Sequence, residues 1–262
     1  MRPLTAIDTS VCYPLQEDPE LAEAVDLELR ATAVSQLVAR QLEISPGSWP
    51  GIAAGSDGIG LLVLQGVLAL RVGIAGRHSA EIVGEGDVLR RPDELWANSQ
   101  LTLTTNWLVL EPVRIAVLDA RFSRQMVHFP NLAGALFARC AVRTRQLAVN
   151  MAIVHQARVD VRLHMLLWHL AGRWGRVRSD GIVVPLRLTH SILAELVAAR
   201  RPTVTSALSE LNRNGLVRSV PEGWLLCGPP PGGQDALEPN VVTSVLPTGG
   251  RLVNERTDER SD

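Results

Sequence analysis

Residues 188–217 read LTHSILAELVAARRPTVTSALSELNRNGLV, and this stretch decides the fold. Thr189 is placed to cap a short helix whose apolar face is Ile192, Leu193, Leu196 and Val197. Ala198, Ala199 and Arg200 form a turn, where small side chains permit close helix crossing. Pro202 suits the first turn of the next helix, because a missing N–H there costs no hydrogen bond. Val204, Leu208 and Leu211 repeat at i, i+4 and i+7 and define a buried face, and Asn214-Gly215 stops the helix. The opposite face offers Arg201, Thr203, Thr205, Ser206, Ser209 and Arg213, and RSVPEGWLL (218–226) predicts a β-hairpin wing.

Guanidinium and hydroxyl groups therefore gather at the start of an exposed helix. In helix-turn-helix proteins that end enters the major groove. Arginine can grip guanine O6 and N7 together, while serine and threonine reach phosphate or base edges. The expected DNA contacts are Thr189, Arg200, Arg201, Thr203, Thr205, Ser206, Ser209 and Arg213. Charge points the same way: residues 158–218 hold ten arginines and four acids, 10 − 4 = +6, within a chain of net charge −1. Residues 1–157 carry 13 arginines and 16 acids, and residues 219–262 carry three and seven. A cationic module between acidic flanks is an electrostatic footprint for phosphate.

Upstream, residues 18–43 carry helical signals, with Val34, Leu37, Val38 and Leu42 as apolar positions and Ser45-Pro46-Gly47 as the stop. From 50 to 121 the pattern changes to short strand-like runs, among them GLLVLQG, ALRVGI, SAEIVGEGDVL, LTLTTNWLVL and VRIAVLD, separated by glycine-rich turns. This predicts a small antiparallel barrel or jelly roll. The most apolar stretch, residues 59–76, is broken by Gln65, Arg71 and glycines, and reads as paired strands rather than a membrane span. Asn131 opens a long helix after Pro130. On it Leu136, Cys140, Arg143, Leu147, Asn150 and Val154 fall at alternating spacings of four and three, as on a coiled-coil seam. The same stripe also suits a helix packed on its own barrel. A further helix over 159–173 carries Leu163, Leu166, Leu167 and Leu170.

These residues resemble the Crp/Fnr family of bacterial transcription regulators. The likeness runs without a gap through residues 188–217 and extends over about 30–227, with residues 159–186 similar to the family's hinge and first DNA-domain helix. The resemblance implies an α+β chain. A cyclic-nucleotide-binding-like antiparallel β-roll or jelly-roll sensor domain would occupy 18–129, and a long dimerisation helix 130–157. A winged helix-turn-helix domain would occupy 158–228, with a disordered tail over 229–262. It also implies a homodimer on double-stranded, roughly palindromic DNA, with RNA polymerase as a candidate partner. The family's base readers fall on Arg201, Pro202 and Ser206. Only Arg201 keeps the readout chemistry; Pro202 stands where cyclic-AMP-binding members have a glutamate, and Ser206 where they have an arginine.

The sensory half departs further from the family pattern. IVGEGDVL (82–89) matches the turn before the family's phosphate-binding cassette. A cyclic-nucleotide binder then needs a Gly-Glu pair for the ribose and an Arg-Ser or Arg-Thr/Ala pair for the phosphate, but here Arg90-Arg91-Pro92-Asp93-Glu94 follows. Arg90 and Arg91 are the candidate effector contacts, and the effector is expected to be something other than cyclic AMP. Cys12, Cys140 and Cys227 are scattered without ligand spacing, which argues against zinc or an iron–sulfur cluster. His78, His155, His164 and His169 form no metal set, since His164 and His169 are five apart rather than four. No nucleophilic triad, carboxylate pair or phosphate loop stands out. The reading is a cytoplasmic, non-enzymatic regulator with no cofactor, no metal and no membrane span. The alternative is a ligand-binding or protein-interaction module whose winged helix docks a protein.

Overall fold

The computed structural model describes residues 10–52, 58–90 and 100–231, and these form two compact units divided between Val149 and Asn150. In the first unit, short helices α1 (Pro14–Glu17), α2 (Pro19–Glu23) and α3 (Leu27–Gln36) lead into strands. The strands are β1 (Val11–Cys12), β2 (Ala39–Ile44), β3 (Gly47–Trp49), β4 (Gly60–Gln65), β5 (Val67–Ile74), β6 (Arg77–Gly84), β7 (Val88–Leu89), β8 (Leu103–Val109) and β9 (Val113–Leu118). They form two antiparallel sheets in the orders β1-β2-β9-β4-β7 and β3-β8-β5-β6. Between them lies a core that includes Leu42, Trp49, Leu61, Val63, Leu68, Leu70, Trp107 and Ile115. Trp49 and Trp107 meet at its centre with ring centroids 6.2 Å apart.

The first sheet is covered on both faces. Leu61 and Val63 of β4 point into the inter-sheet core, while Leu62 and Leu64 join a second cluster with Leu21, Ala33, Leu37, Phe122 and Leu132. That double burial is why GLLVLQ is an unbroken apolar run rather than an alternating one. Two sequence expectations need correction here. The helix expected to reach residue 43 ends at Gln36, because residues 39–44 pair in register with β9 from Arg40↔Val117 to Ile44↔Val113. The strands within residues 59–76 do not pair with each other: β4 joins one sheet and β5 the other. Gly66 (φ +90°) makes the crossing, and a Cβ there would sit 2.1 Å from the Pro112 carbonyl oxygen.

Helix α4 (Ala120–Met126) follows, capped by Asp119, which accepts from the Arg121 and Phe122 amides. Helix α5 (Pro130–Val154) then runs for 25 residues, starting in one unit and ending in the other. It stops three residues short of the expected 157, in a turn in which the Gln156 amide donates to the Ile153 carbonyl.

The second unit contains α6 (Val159–Trp174), β10 (Arg176–Arg178), β11 (Gly181–Val184), α7 (His190–Leu196), α8 (Arg201–Arg213), β12 (Val217–Val220) and β13 (Gly223–Leu226). The four strands form one antiparallel sheet in the order β10-β11-β13-β12. Helix α6 buries Leu163, Leu166, Leu167 and Leu170 and packs on α8, which buries Val204, Ala207, Leu208 and Leu211. The predicted wing is the β12–β13 hairpin, with Val220 opposite Gly223. The tail expected over 229–262 lies outside the described residues from 232 onward, as does Arg91.

Candidate nucleic-acid interface

The α7–turn–α8 unit is built from local signals. The Thr189 hydroxyl accepts from the Ile192 amide at 3.3 Å, so Thr189 is the cap of α7. The turn pivots on Ala198, a non-glycine residue at φ +50°. Arg200 occupies the cap position of α8 with no side-chain capping bond, and Pro202 stands in the first turn. Arg200, Arg201, Pro202, Thr203, Thr205, Ser206, Ser209 and Arg213 are all exposed on α8 or at its start. The structure thus brings the expected contacts onto the outer face of one helix, while Thr189 sits at the start of the other.

Not every group there is equally available. The Thr205, Ser206 and Ser209 hydroxyls donate to the carbonyls of Arg201, Pro202 and Thr205 at 3.1, 3.2 and 3.0 Å. Such back-bonding one turn along the helix leaves these oxygens presenting lone pairs outward. They are set to accept from a base amino group rather than donate to a phosphate.

His190, which the sequence reading passed over, adds a second bond to Thr205: its Nδ1 lies 2.9 Å from the Thr205 hydroxyl oxygen. With the Thr205 proton directed at the Arg201 carbonyl, Nδ1 is the donor. The same ring lies 6.3 Å from that of Trp224 on the wing, so His190 touches α7, α8 and β13 together. Nothing in the spacing of His190 and Thr205, 15 residues apart, announces this contact.

The local positive charge also divides into two groups. Arg158 pairs with Asp160, Arg178 pairs with Asp180, and Arg173 lies 4.6 Å over the Trp174 ring. Arg200, Arg201 and Arg213 have no carboxylate partner among the described residues. Arg176 and Arg187 are likewise exposed without a carboxylate partner among the described residues, and three of these guanidinium groups gather on the exposed face of α8, where an anionic ligand would meet them. His164, by contrast, is buried and its Nε2 accepts from the Trp168 indole at 3.1 Å. Burial lowers the pKa values of His164 and His169 and so favours the neutral imidazole at both.

Comparison with known proteins bears on this geometry. Residues 161–227 match the Crp-like helix-turn-helix domain. These residues form a Crp-like helix-turn-helix domain. Among curated relatives, the Global nitrogen regulator of Synechococcus elongatus is 26% identical over 107 residues. That match takes in 40% of this chain and 48% of the relative, about half of its length. Among solved structures, a CooA variant from Carboxydothermus hydrogenoformans superposes with a TM-score of 0.57 at 17% identity, over 86% of this chain and 93% of that one. FixK2 from Bradyrhizobium japonicum gives 0.54 at 14% identity, over 72% and 92%. The fold of these structures, an N-terminal β domain followed by a helix-turn-helix domain, is therefore shared along most of the chain.

Of the stripe expected on α5, two positions are engaged within their own unit. Leu136 is buried with Phe129 and Leu132 in the cluster on the first sheet. Arg143 grips Glu81 of β6 through two bonds of 2.7 Å, and Asn150 is half-buried. Leu136 and Arg143 are committed within their own unit. Phe137, Cys140, Leu147 and Met151 are exposed instead. The open stripe of α5 thus runs Phe137, Cys140, Thr144, Leu147, Met151, with spacings of three and four. It keeps Cys140 and Leu147 and takes Phe137 and Thr144 in place of Leu136 and Arg143, a displacement of the stripe by less than one residue's turn of about 100°. Arg90 is exposed after β7. No helix of the described residues is long and apolar enough to cross a membrane.

Proposed function

We propose that the chain is a homodimeric, cytoplasmic transcription regulator that binds a palindromic operator and answers to an effector other than cyclic AMP. The observation that carries this reading is the face of α8, where Arg200, Arg201 and Arg213 stand without a carboxylate partner at both ends of a row of acceptor oxygens. Helix α8 enters the major groove by its N-terminal end, Arg201 reads a guanine, and Arg200 and Arg213 hold phosphates. Two copies pair along the apolar stripe of α5 from Phe137 to Met151, which places the two α8 helices on half-sites about one helical turn apart. Arg90 and Arg91 are the candidate effector contacts, and RNA polymerase is the partner through which occupancy would change transcription.

Selection from a random duplex pool, read by gel shift, tests this. An enriched palindrome and a steep fall of affinity with salt are expected, since each phosphate contact releases counterions. Absence of an enriched palindrome, with salt-insensitive capture of a protein instead, would assign the winged helix to protein docking.

A further inference from the structure

The linker between α5 and α6, residues 155–158, is tied to the helix-turn-helix at two points. Arg162, near the start of α6, donates from Nε to the Gln156 carbonyl of that linker at 2.6 Å. Its Nη1 donates to the Val197 carbonyl at 3.1 Å and lies 3.4 Å from the Ala198 carbonyl oxygen. Val197 closes α7, where backbone carbonyls carry the negative end of the helix dipole and attract a cation. Ala198 is the left-handed residue of the turn, a conformation that a residue with a Cβ keeps only while its surroundings enforce it. One guanidinium therefore holds the linker, the end of α7 and the pivot of the turn together. Arg158 supplies a weaker second tie. It grips Asp160 through bonds of 3.1 and 2.7 Å and lies 3.6 Å from the Glu210 carboxylate toward the far end of α8.

We infer that Arg162, backed by Arg158, is the positioning residue that fixes the angle of α8 to the linker. The linker and the recognition helix move as one body, and the separation of the two α8 helices in a dimer follows the linker. Arg162 acts through the turn rather than on DNA. This inference rests on the homodimer reading above.

The test measures the affinity of the full chain for the selected palindrome and for versions with half-sites one base pair closer or farther apart. Arg162→Met keeps an apolar stem and removes the charged bonds. It is expected to weaken binding at the preferred spacing about 10-fold and to bring the three spacings toward parity. The slope of log affinity against log salt should stay unchanged, because no phosphate contact is lost. Circular dichroism checks folding. If Arg162→Met does not fold, Glu210→Gln is read instead, with a smaller loss of spacing discrimination expected from a half-exposed pair. A folded variant with wild-type discrimination, or a salt slope smaller by about one, overturns the clamp while leaving the homodimer reading intact. A wild-type chain that enriches no palindrome overturns both.

Discussion

Arg143 of α5 and Glu81 of β6 meet through two parallel hydrogen bonds of 2.7 Å, with side chains 21% and 16% exposed. Bidentate geometry and partial burial make this pair unlike a solvated surface contact. One turn earlier, Arg139 is gripped by Asp18 and donates to the Gly86 carbonyl at 3.3 Å. The first half of α5 is thereby fastened to its own β-roll. Removing one partner leaves the other partly buried and unpaired, so Arg143→Ala should destabilise the chain by about 2–4 kcal/mol. Denaturant unfolding measures this. The dimer mass in native mass spectrometry should be unchanged, whereas a seam position would shift it.

The stripe that should govern pairing is the one the β-roll leaves open. Leu147→Glu, alone or with Met151→Glu, places like charges opposite each other across a two-fold seam. The dimer should weaken by about 100-fold, roughly 3 kcal/mol, with little change in unfolding of the monomer. Sedimentation at several concentrations reads this. An unchanged dimer would move the interface off α5.

On α8 the arginines should separate by kind. Arg201→Ala should cost about 1–3 kcal/mol and relax preference at one base pair per half-site. Arg213→Ala should weaken all sequences alike and lower the salt slope by about one. Binding of randomised operators by each variant distinguishes them. If Arg201→Ala lost affinity uniformly, Arg201 would be a phosphate contact.

The cysteines should differ in reactivity. Burial, with Glu17 adding to it, pushes the Cys12 thiol from 9.0 up to about 11, while Cys140 is exposed. At pH 8 a thiol reagent should modify Cys12 only after unfolding, and Cys140, which lies on the proposed pairing stripe, rapidly only at concentrations where the dimer dissociates. Between pH 9 and about 11 the folded chain keeps a proton on Cys12 that the unfolded chain has lost. Stability should therefore fall as pH rises through that window. Cys12→Ala should flatten this fall, read by urea titration at pH 8 and pH 10.

The helix-turn-helix was legible because its signals are local. The Thr189 cap, the Pro202 start, the i, i+4, i+7 face of Val204, Leu208 and Leu211, and the Asn214-Gly215 stop all act within a turn or two of the residues that show them. The strands of the β-roll were legible for the same reason. Residues 39–44 were not: Leu42 fits a helical stripe, and only pairing with Val113–Leu118 across the sheet makes it a strand. Periodicity cannot see a partner about 75 residues away.

Sequence alone determined the class of fold, the output helix and the identity of its exposed groups, because short-range chemistry and local charge set those. Tertiary structure decided which of these groups are free. It paired Arg158 and Arg178 with carboxylates and left Arg201 open, turned Thr205 toward His190, and drew Leu136 and Arg143 onto the β-roll. A repeat of apolar residues records that a helix has a buried side. Which neighbour buries it depends on surfaces assembled from distant parts of the chain, and on α5 Leu136 and Arg143 face the chain's own β domain.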